Sequence, residues 1–255
     1  MHIYYIQNMD TGDPVIRFRW ACAAILCWPV LVSGCAASRG PGAWGPESAT
    51  PGMRLVLEEK ARRPSASGTE VLYAVKVTGA PGDRTCRLWT RARGAAPVMV
   101  RGGYVDQSGV FVNGQTGEET RFVAVGLAPG ERYEIGAVTT DDSGRAFARV
   151  VPFVLEARGA GRCRIWAEMD SPRADAFMIR GEGFGSREET NATLQSGDDI
   201  HLDNFVITDE GTFQRLVFPV AYFKRPEGTG AYTVAGKDCK MTLNFSWGPR
   251  ALRPE

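Results

Sequence analysis

The sequence predicts an all-β protein of the sandwich or barrel kind. Short runs with apolar residues at alternate positions follow one another, separated by Gly, Pro, Asp and Asn. Stretches with the apolar period of an amphipathic helix are absent. Beyond an N-terminal leader and a Gly/Pro-rich segment, about 200 residues remain, enough for one large or two ordinary domains.

The leader comes first. Arg17 and Arg19 precede Trp20 to Val32, which carries no charge, and Ser33-Gly34-Cys35 follows. A basic segment, a short apolar core and a small-residue exit describe a secretory signal peptide over residues 1–34. The run is too short for a transmembrane helix, which needs about 20 apolar residues. Met9 is an alternative start that would shorten the long basic region.

Val32-Ser33-Gly34-Cys35 resembles the lipobox of bacterial lipoproteins, with Val where Leu is commoner. The resemblance implies cleavage before Cys35, a diacylglycerol thioether on its sulfur and acylation of the new N-terminus. Several acyl chains anchor firmly, each buried methylene adding about 0.8 kcal/mol. The competing readings are an uncleaved anchor, or cleavage after an Ala at 36–37. Ala36 follows the Cys where an Asp would favour inner-membrane retention, so the resemblance points to the outer membrane. Residues 36–52, "AASRGPGAWGPESATPG", lack the apolar content for a core and read, with Cys35, as a lipidated flexible tether over 35–52.

The first folded domain is expected over 53–156. Met53, Leu55 and Leu57 alternate with Arg54, Val56 and Glu58. Val71, Tyr73, Val75 and Val77 share one face of the next run, and Cys86 and Leu88 oppose Arg87, Trp89 and Arg91 in the third. "PVMVRGGYVDQSGVFV" reads as a hairpin arm, and Phe122 and Ala124 alternate in the run after it. Leu127, Pro129, Gly130 and Tyr133 then form L-x-P-G-x-x-Y. This resembles the tyrosine corner of fibronectin type III domains, which implies an immunoglobulin-like sandwich with Tyr133 at the start of a strand that ends at Thr139. The turn "TDDSG" and a strand from Ala146 to Val154 would follow.

The second domain is expected over 157–255. Ile179-x-Gly181-x-Gly183-Phe184, then Asp209-x-Gly211-x-Phe213, resemble the IPT/TIG immunoglobulin-like domains. The resemblance implies a tight Gly-x-Gly-Phe turn between the first two strands and an Asp-Gly hairpin later. A nucleotide loop would need a following helix, and "GSREETNATLQSGDD" has no apolar helical stripe. The resulting expectation is two tandem immunoglobulin-like β-sandwiches after a signal peptide and flexible tether.

Cys22 and Cys27 leave with the leader and Cys35 is the lipid site, so Cys86, Cys163 and Cys239 remain. An oxidising compartment favours one pair. Cys163 lies in the first strand of the second domain and Cys239 near its last, which makes them the expected disulfide. Cys86 with Cys163, across domains, stays open as the alternative.

The formal net charge is +1, and removing residues 1–34 takes two bases and two acids, so the balance is unchanged. That argues against a nucleic-acid partner, whose signature is a basic excess. His201 is the one histidine outside the leader, in "SGDDIHLDNF", and reads as a solvent-facing strand residue rather than a catalytic base. Asp198, Asp199, Asp203 and Asn204 lie close in sequence, as do Asp141 and Asp142, but neither set has calcium-loop spacing and turn chemistry explains both. No metal site, cofactor or catalytic set is expected. Tyr222, Phe223 and Trp89 are the candidate ligand-binding aromatics, with "VAYFKRPEG" as an exposed aromatic-basic loop. The functional expectation is a membrane-anchored, non-catalytic envelope lipoprotein that binds or bridges a protein partner. Its alternatives are a carbohydrate- or peptidoglycan-binding lipoprotein, and an accessory to an envelope hydrolase or a cryptic one.

Overall fold

The computed structural model describes residues 44–65, 68–80, 85–92, 94–159 and 161–252. The leader and Cys35 lie outside the described residues. Among the described residues, alternation of apolar side chains produces sixteen strands, with one short α-helix and two 3-10 turns, arranged as two β-sandwiches. Among the described residues, no helix is long and apolar enough to cross a membrane.

In the first sandwich, β1 (Arg54–Ser65), β2 (Gly68–Thr78) and β6 (Arg121–Val125) form one antiparallel sheet in the order β1-β2-β6. Facing it are β3 (Thr85–Ala92), β4 (Val98–Val105), β5 (Phe111–Asn113), β7 (Tyr133–Thr139) and β8 (Arg145–Val150), ordered β5-β4-β3-β7-β8. Val71, Tyr73, Val75 and Val77 enter the core together with Leu88, Ile135 and Phe122, as their alternation requires. Tyr73, Phe122 and Tyr133 stack in sequence, with centroids 6.2 and 5.2 Å apart. Burial pushes the Tyr133 phenol up to about 12, against a hydrogen bond with Thr90. β1 runs past the expected stretch through a bulge at Glu59–Ala61 into a hairpin with β2, and its added part is charged and exposed.

The corner motif also joins the two sandwiches. Leu127 belongs to the first core and its neighbour Ala128 to the second. The Glu131 carboxylate accepts from the buried Ala128 N–H at 2.9 Å. Gly130 has φ +78°, donates to the Phe153 carbonyl at 2.7 Å and accepts from the Met169 N–H at 2.7 Å. A Cβ there would stand 3.2 Å from the Ala167 carbonyl, so glycine lets the second sandwich approach.

The second sandwich begins earlier than expected, because β9 (Leu155–Arg158) pairs with β10 (Arg164–Met169). With β11 (Phe177–Glu182) and β14 (Phe213–Val217) they form the sheet β14-β11-β10-β9. The opposing sheet is β13-β12-β15-β16, from β12 (Glu189–Ser196), β13 (Asp199–Val206), β15 (Gly228–Ala235) and β16 (Lys240–Trp247). A short helix, α1 (Pro219–Phe223), links β14 to β15, started by a Pro whose missing N–H costs nothing at a first helical position. Cys163 and Cys239 are disulfide-bonded and both buried, and Cys86 is a free, buried thiol. The Cys86–Cys163 alternative is therefore not realised.

The two halves of the second motif pack against each other. Gly183 has φ +82°, and a Cβ there would lie 2.3 Å from the Arg162 carbonyl oxygen. The Phe213 ring lies against Gly181, and the Phe184 N–H donates to the Gly211 carbonyl at 3.1 Å. Two details differ from the expectation. Gly181 to Phe184 leaves β11 for β12, so it crosses from one sheet to the other. The Asp209–Gly211 turn joins β13 to β14, which also lie in different sheets; it is a crossover and not a hairpin.

The supposed tether is folded from Trp44 onward. Trp44 packs edge-on against Phe147 at 5.0 Å, carries the Arg91 guanidinium over its ring at 5.4 Å, and donates its Nε1–H to Glu134 at 3.1 Å. Thr50 then exchanges hydrogen bonds with Arg145 along β8. Residues 44–50 are a strap over the outer face of the first sandwich.

Candidate binding edge

The aromatics expected to bind ligand do not form a platform. Trp89 is 3% exposed and Phe223 9%. Trp89 alternates outward from the core, but it pairs with Gly136 of β7, whose open side holds the Trp44 ring. The strap therefore roofs the face on which Trp89 stands. Phe223 turns inward on α1 and stacks on Trp247 at 5.5 Å. Tyr222 is half-buried, parallel to the His201 ring at 3.7 Å. "VAYFKRPEG" is thus a helical turn docked on the sandwich, with Lys224 and Arg225 as its exposed end.

Asp203 and Asp199 each pair with an arginine, and Asp141 is held within its own turn. Asp203 accepts two bonds of 2.7 Å from Arg215, whose guanidinium also covers Phe205 at 5.2 Å. Asp199 pairs with Arg225. Asp141 accepts from the Ser143 N–H and hydroxyl in the β7–β8 turn, and its side-chain hydrogen bonds hold its pKa at about 2. Among the described residues no three ligating side chains gather as a metal site. Glu134 and Asp170 line a small cavity between the sandwiches with Arg91 and Arg132. Burial favours protonation of Glu134, but hydrogen bonds from Trp44 and Arg91 outweigh it and hold the group below the usual carboxylate range. A general acid needs the opposite shift.

A broader groove, of about 1040 Å³, runs from Pro129 of the corner over Gln195, Thr229, Asn244, Ser246 and Arg250. It is mostly uncharged.

The feature that stands out is β13. Its alternation is inverted: His201, Asp203 and Phe205 face inward over Tyr222, Arg215 and Phe213, while Ile200, Leu202 and Val206 are 58%, 69% and 60% exposed. The polar inner side is satisfied by groups from α1 and β14, so the apolar residues turn to water. β13 is also an edge strand. Natural edges are blunted by charge, proline, bulges or covering elements. β1 has charges, Pro64 and a bulge; β8 has the strap; β5, β6, β9 and β14 are short; and β16 turns Lys240, Thr242, Asn244 and Ser246 to its outer face. β13 has an unbroken register with β12 from Glu189↔Val206 to Ser196↔Asp199, no Pro, no Gly and no cover from a neighbouring strand on its outer side; its two charges, Asp199 and Asp203, are each paired with an arginine.

The orientation of its backbone follows from the hairpin. Gly197 and Asp198 form a two-residue loop, with φ +61° at Gly197, so Ser196 and Asp199 close it as a hydrogen-bonded pair. Alternation then turns the N–H and C=O groups of His201, Asp203 and Phe205 toward β12. Those of Ile200, Leu202, Asn204 and Val206 point to the open edge. The sequence "DIHLDNFV" displays this alternation, but not which side faces the core.

Cys86 is the remaining nucleophile, and burial pushes its thiol up to about 11. A thiolate is the reactive form. Cys86 should therefore resist a thiol reagent at pH 8 in the native chain and label fully in denaturant. Rapid native labelling would place it on an accessible surface.

No family model matches the chain, and no curated protein matches it. Among solved structures it is similar to a tetra-tandem repeat in the extending region of a large adhesion protein, at 9% identity over 76% of this chain, with a TM-score of 0.29. It spans 49% of that structure, about half its length. The FN1–FN3 domains of chicken CNTN1 match at 10% identity, 76% of this chain, 64% of that one and a TM-score of 0.22. The chicken interferon gamma receptor alpha chain matches at 10%, 79%, 100% and 0.20. At such scores the likeness decides nothing about this chain; its fold rests on its own strand pairing and its two cores.

Proposed function

We propose that this chain is a non-catalytic, lipid-anchored protein of a bacterial outer membrane that binds an envelope protein by strand addition. The observation that carries the reading is β13, an edge that no other strand covers, with Ile200, Leu202 and Val206 in water. Main-chain groups along such an edge supply affinity, and the alternate side chains supply selectivity. The anchor is Cys35, acylated as its lipobox implies, with bilayer contact confined to the lipid. The strap supports this role, since Trp44, nine residues after Cys35 in sequence, is fastened to the first sandwich, which would leave only a short link to a lipid anchor. The glycan alternative has less support, because Trp89 and Phe223 are buried and Tyr222 is stacked beneath His201.

In-cell crosslinking of the anchored protein tests the proposal, with Cys35→Ser and Leu202→Lys forms beside it. A near-stoichiometric envelope protein should be captured by the anchored form and lost with Leu202→Lys, while Cys35→Ser should move to the soluble fraction. Membrane retention of Cys35→Ser would overturn the anchor. Capture indifferent to Leu202→Lys would overturn the edge. Co-sedimentation with cell-wall glycan and no protein partner would favour the groove at Asn244 and Arg250.

A further inference from the structure

We infer that the occupant of β13 is the same strand of a second copy, the two pairing antiparallel about a two-fold axis at Leu202. This rests on the reading of β13 as the docking edge. A two-fold contact requires one patch to complement itself. The groups available for hydrogen bonding belong to Ile200, Leu202, Asn204 and Val206, so the axis must keep those residues opposite one another. Charge then selects among the registers. Centred on Asp203, the two Asp203 carboxylates would meet across the axis. Centred on His201, Asp199 would face Asp203 of the second copy. Like charges directly opposite are destabilising. Centred on Asn204, the pairing would leave Ile200 opposite Thr208, beyond the strand's end at Val206.

Centred on Leu202, the pairing runs from Asp199 to Phe205 with no like-charged pair. Leu202 meets its own copy, and Ile200 lies beside Asn204. His201 faces Asp203 of the second copy in a non-hydrogen-bonded pair, the closer kind, at about 4.5 Å between Cα atoms. His201 and Asp203 already have fixed positions, set by Tyr222 and Arg215. The result is one continuous eight-stranded sheet, two copies of β13-β12-β15-β16, that buries the exposed Leu202 on both sides and removes the open edge.

Cysteine crosslinking of the full-length chain in its membrane tests this register. Paired Leu202 Cα atoms would be about 5.5 Å apart, within the span of a disulfide. Two Asn204 Cα atoms would be separated by about 13 Å along the strands. Under mild oxidation, Leu202→Cys should give about tenfold more covalent homodimer than Asn204→Cys, judged by that disulfide span. The Ile200→Cys/Asn204→Cys double variant should also crosslink efficiently. The unsubstituted chain provides the background, its Cys86 buried and its Cys163–Cys239 pair closed. Because Leu202 is on the surface, none of these changes disturbs the core. Stronger crosslinking through Asn204→Cys would overturn the proposed pairing. If Leu202→Cys gives no homodimer but Leu202→Lys still loses a different envelope protein, the second copy is overturned and the docking edge stands. If there is no homodimer and Leu202→Lys changes nothing that is captured, both readings fall.

Discussion

Replacing Cys163 and Cys239 together by alanine should destabilise the second sandwich by about 4 kcal/mol, the loop-entropy value for a link of this span. The bond joins residues 76 apart in sequence. It ties the chain entering β10 in one sheet to the chain entering β16 in the other, so it closes most of the domain into a loop. Without it the unfolded chain regains that freedom. Both cysteines are buried, so the loss of sulfur from the interior adds to the entropic effect rather than offsetting it. For a domain of this size the melting temperature should fall by on the order of 20 °C. Calorimetry of the double variant beside the native chain measures it, and reduction in denaturant followed by refolding under reducing conditions should reproduce the shift. A loss below about 1 kcal/mol would mean that the denatured chain already holds these segments together.

Local features of the fold were legible and non-local ones were not. The strand expected from Tyr133 to Thr139 has those bounds in the structure, because an alternating run lies between a Pro-Gly corner and an Asp-Asp-Ser-Gly turn, all decided within a few residues. The glycines at 181 and 183 were found for their spacing, though their reason is a ring and a carbonyl from elsewhere in the chain. Residues 36–52 cannot build a core, which is what their composition says. Composition does not say that Trp44 can use another segment's glycine: the ring occupies the open side of Gly136, far along the sequence. The same contact reverses the expectation for Trp89, outward by alternation yet covered. For β13 the limit is of another kind. A strand's two faces differ by a single residue step, and the polar set Asp199, His201 and Asp203 turned inward because Arg225, Tyr222 and Arg215 wait there. Nothing within "DIHLDNFV" announces those partners, so the sequence does not show which face of β13 is turned to water.

Trp247→Ala should cost about 3–5 kcal/mol, and Trp247→Phe much less. Trp247 is fully buried at the end of β16. It stacks on Phe223 of α1 and lies 6.4 Å from Phe245, so it holds the helix against the sheet. Its indole also explains two glycines of β15. A Cβ at Gly228 would stand 2.5 Å from the ring, and one at Gly230 would stand 3.0 Å from it. The neighbouring strand has been emptied to make room, so alanine at 247 leaves a void that glycines cannot fill. α1 would lose its seat, exposing Phe223 and freeing Tyr222 from His201. The buried indole N–H has no acceptor within the protein. An unsatisfied buried donor costs about 1–3 kcal/mol, which phenylalanine would not incur. That relief offsets much of the lost ring area, so the residue is present for its volume. Guanidinium unfolding of the two variants, followed by circular dichroism, separates the cases. Equal destabilisation by Phe and Ala would show that the N–H is satisfied after all, by a bound water, and that the tryptophan is held for its polar atom.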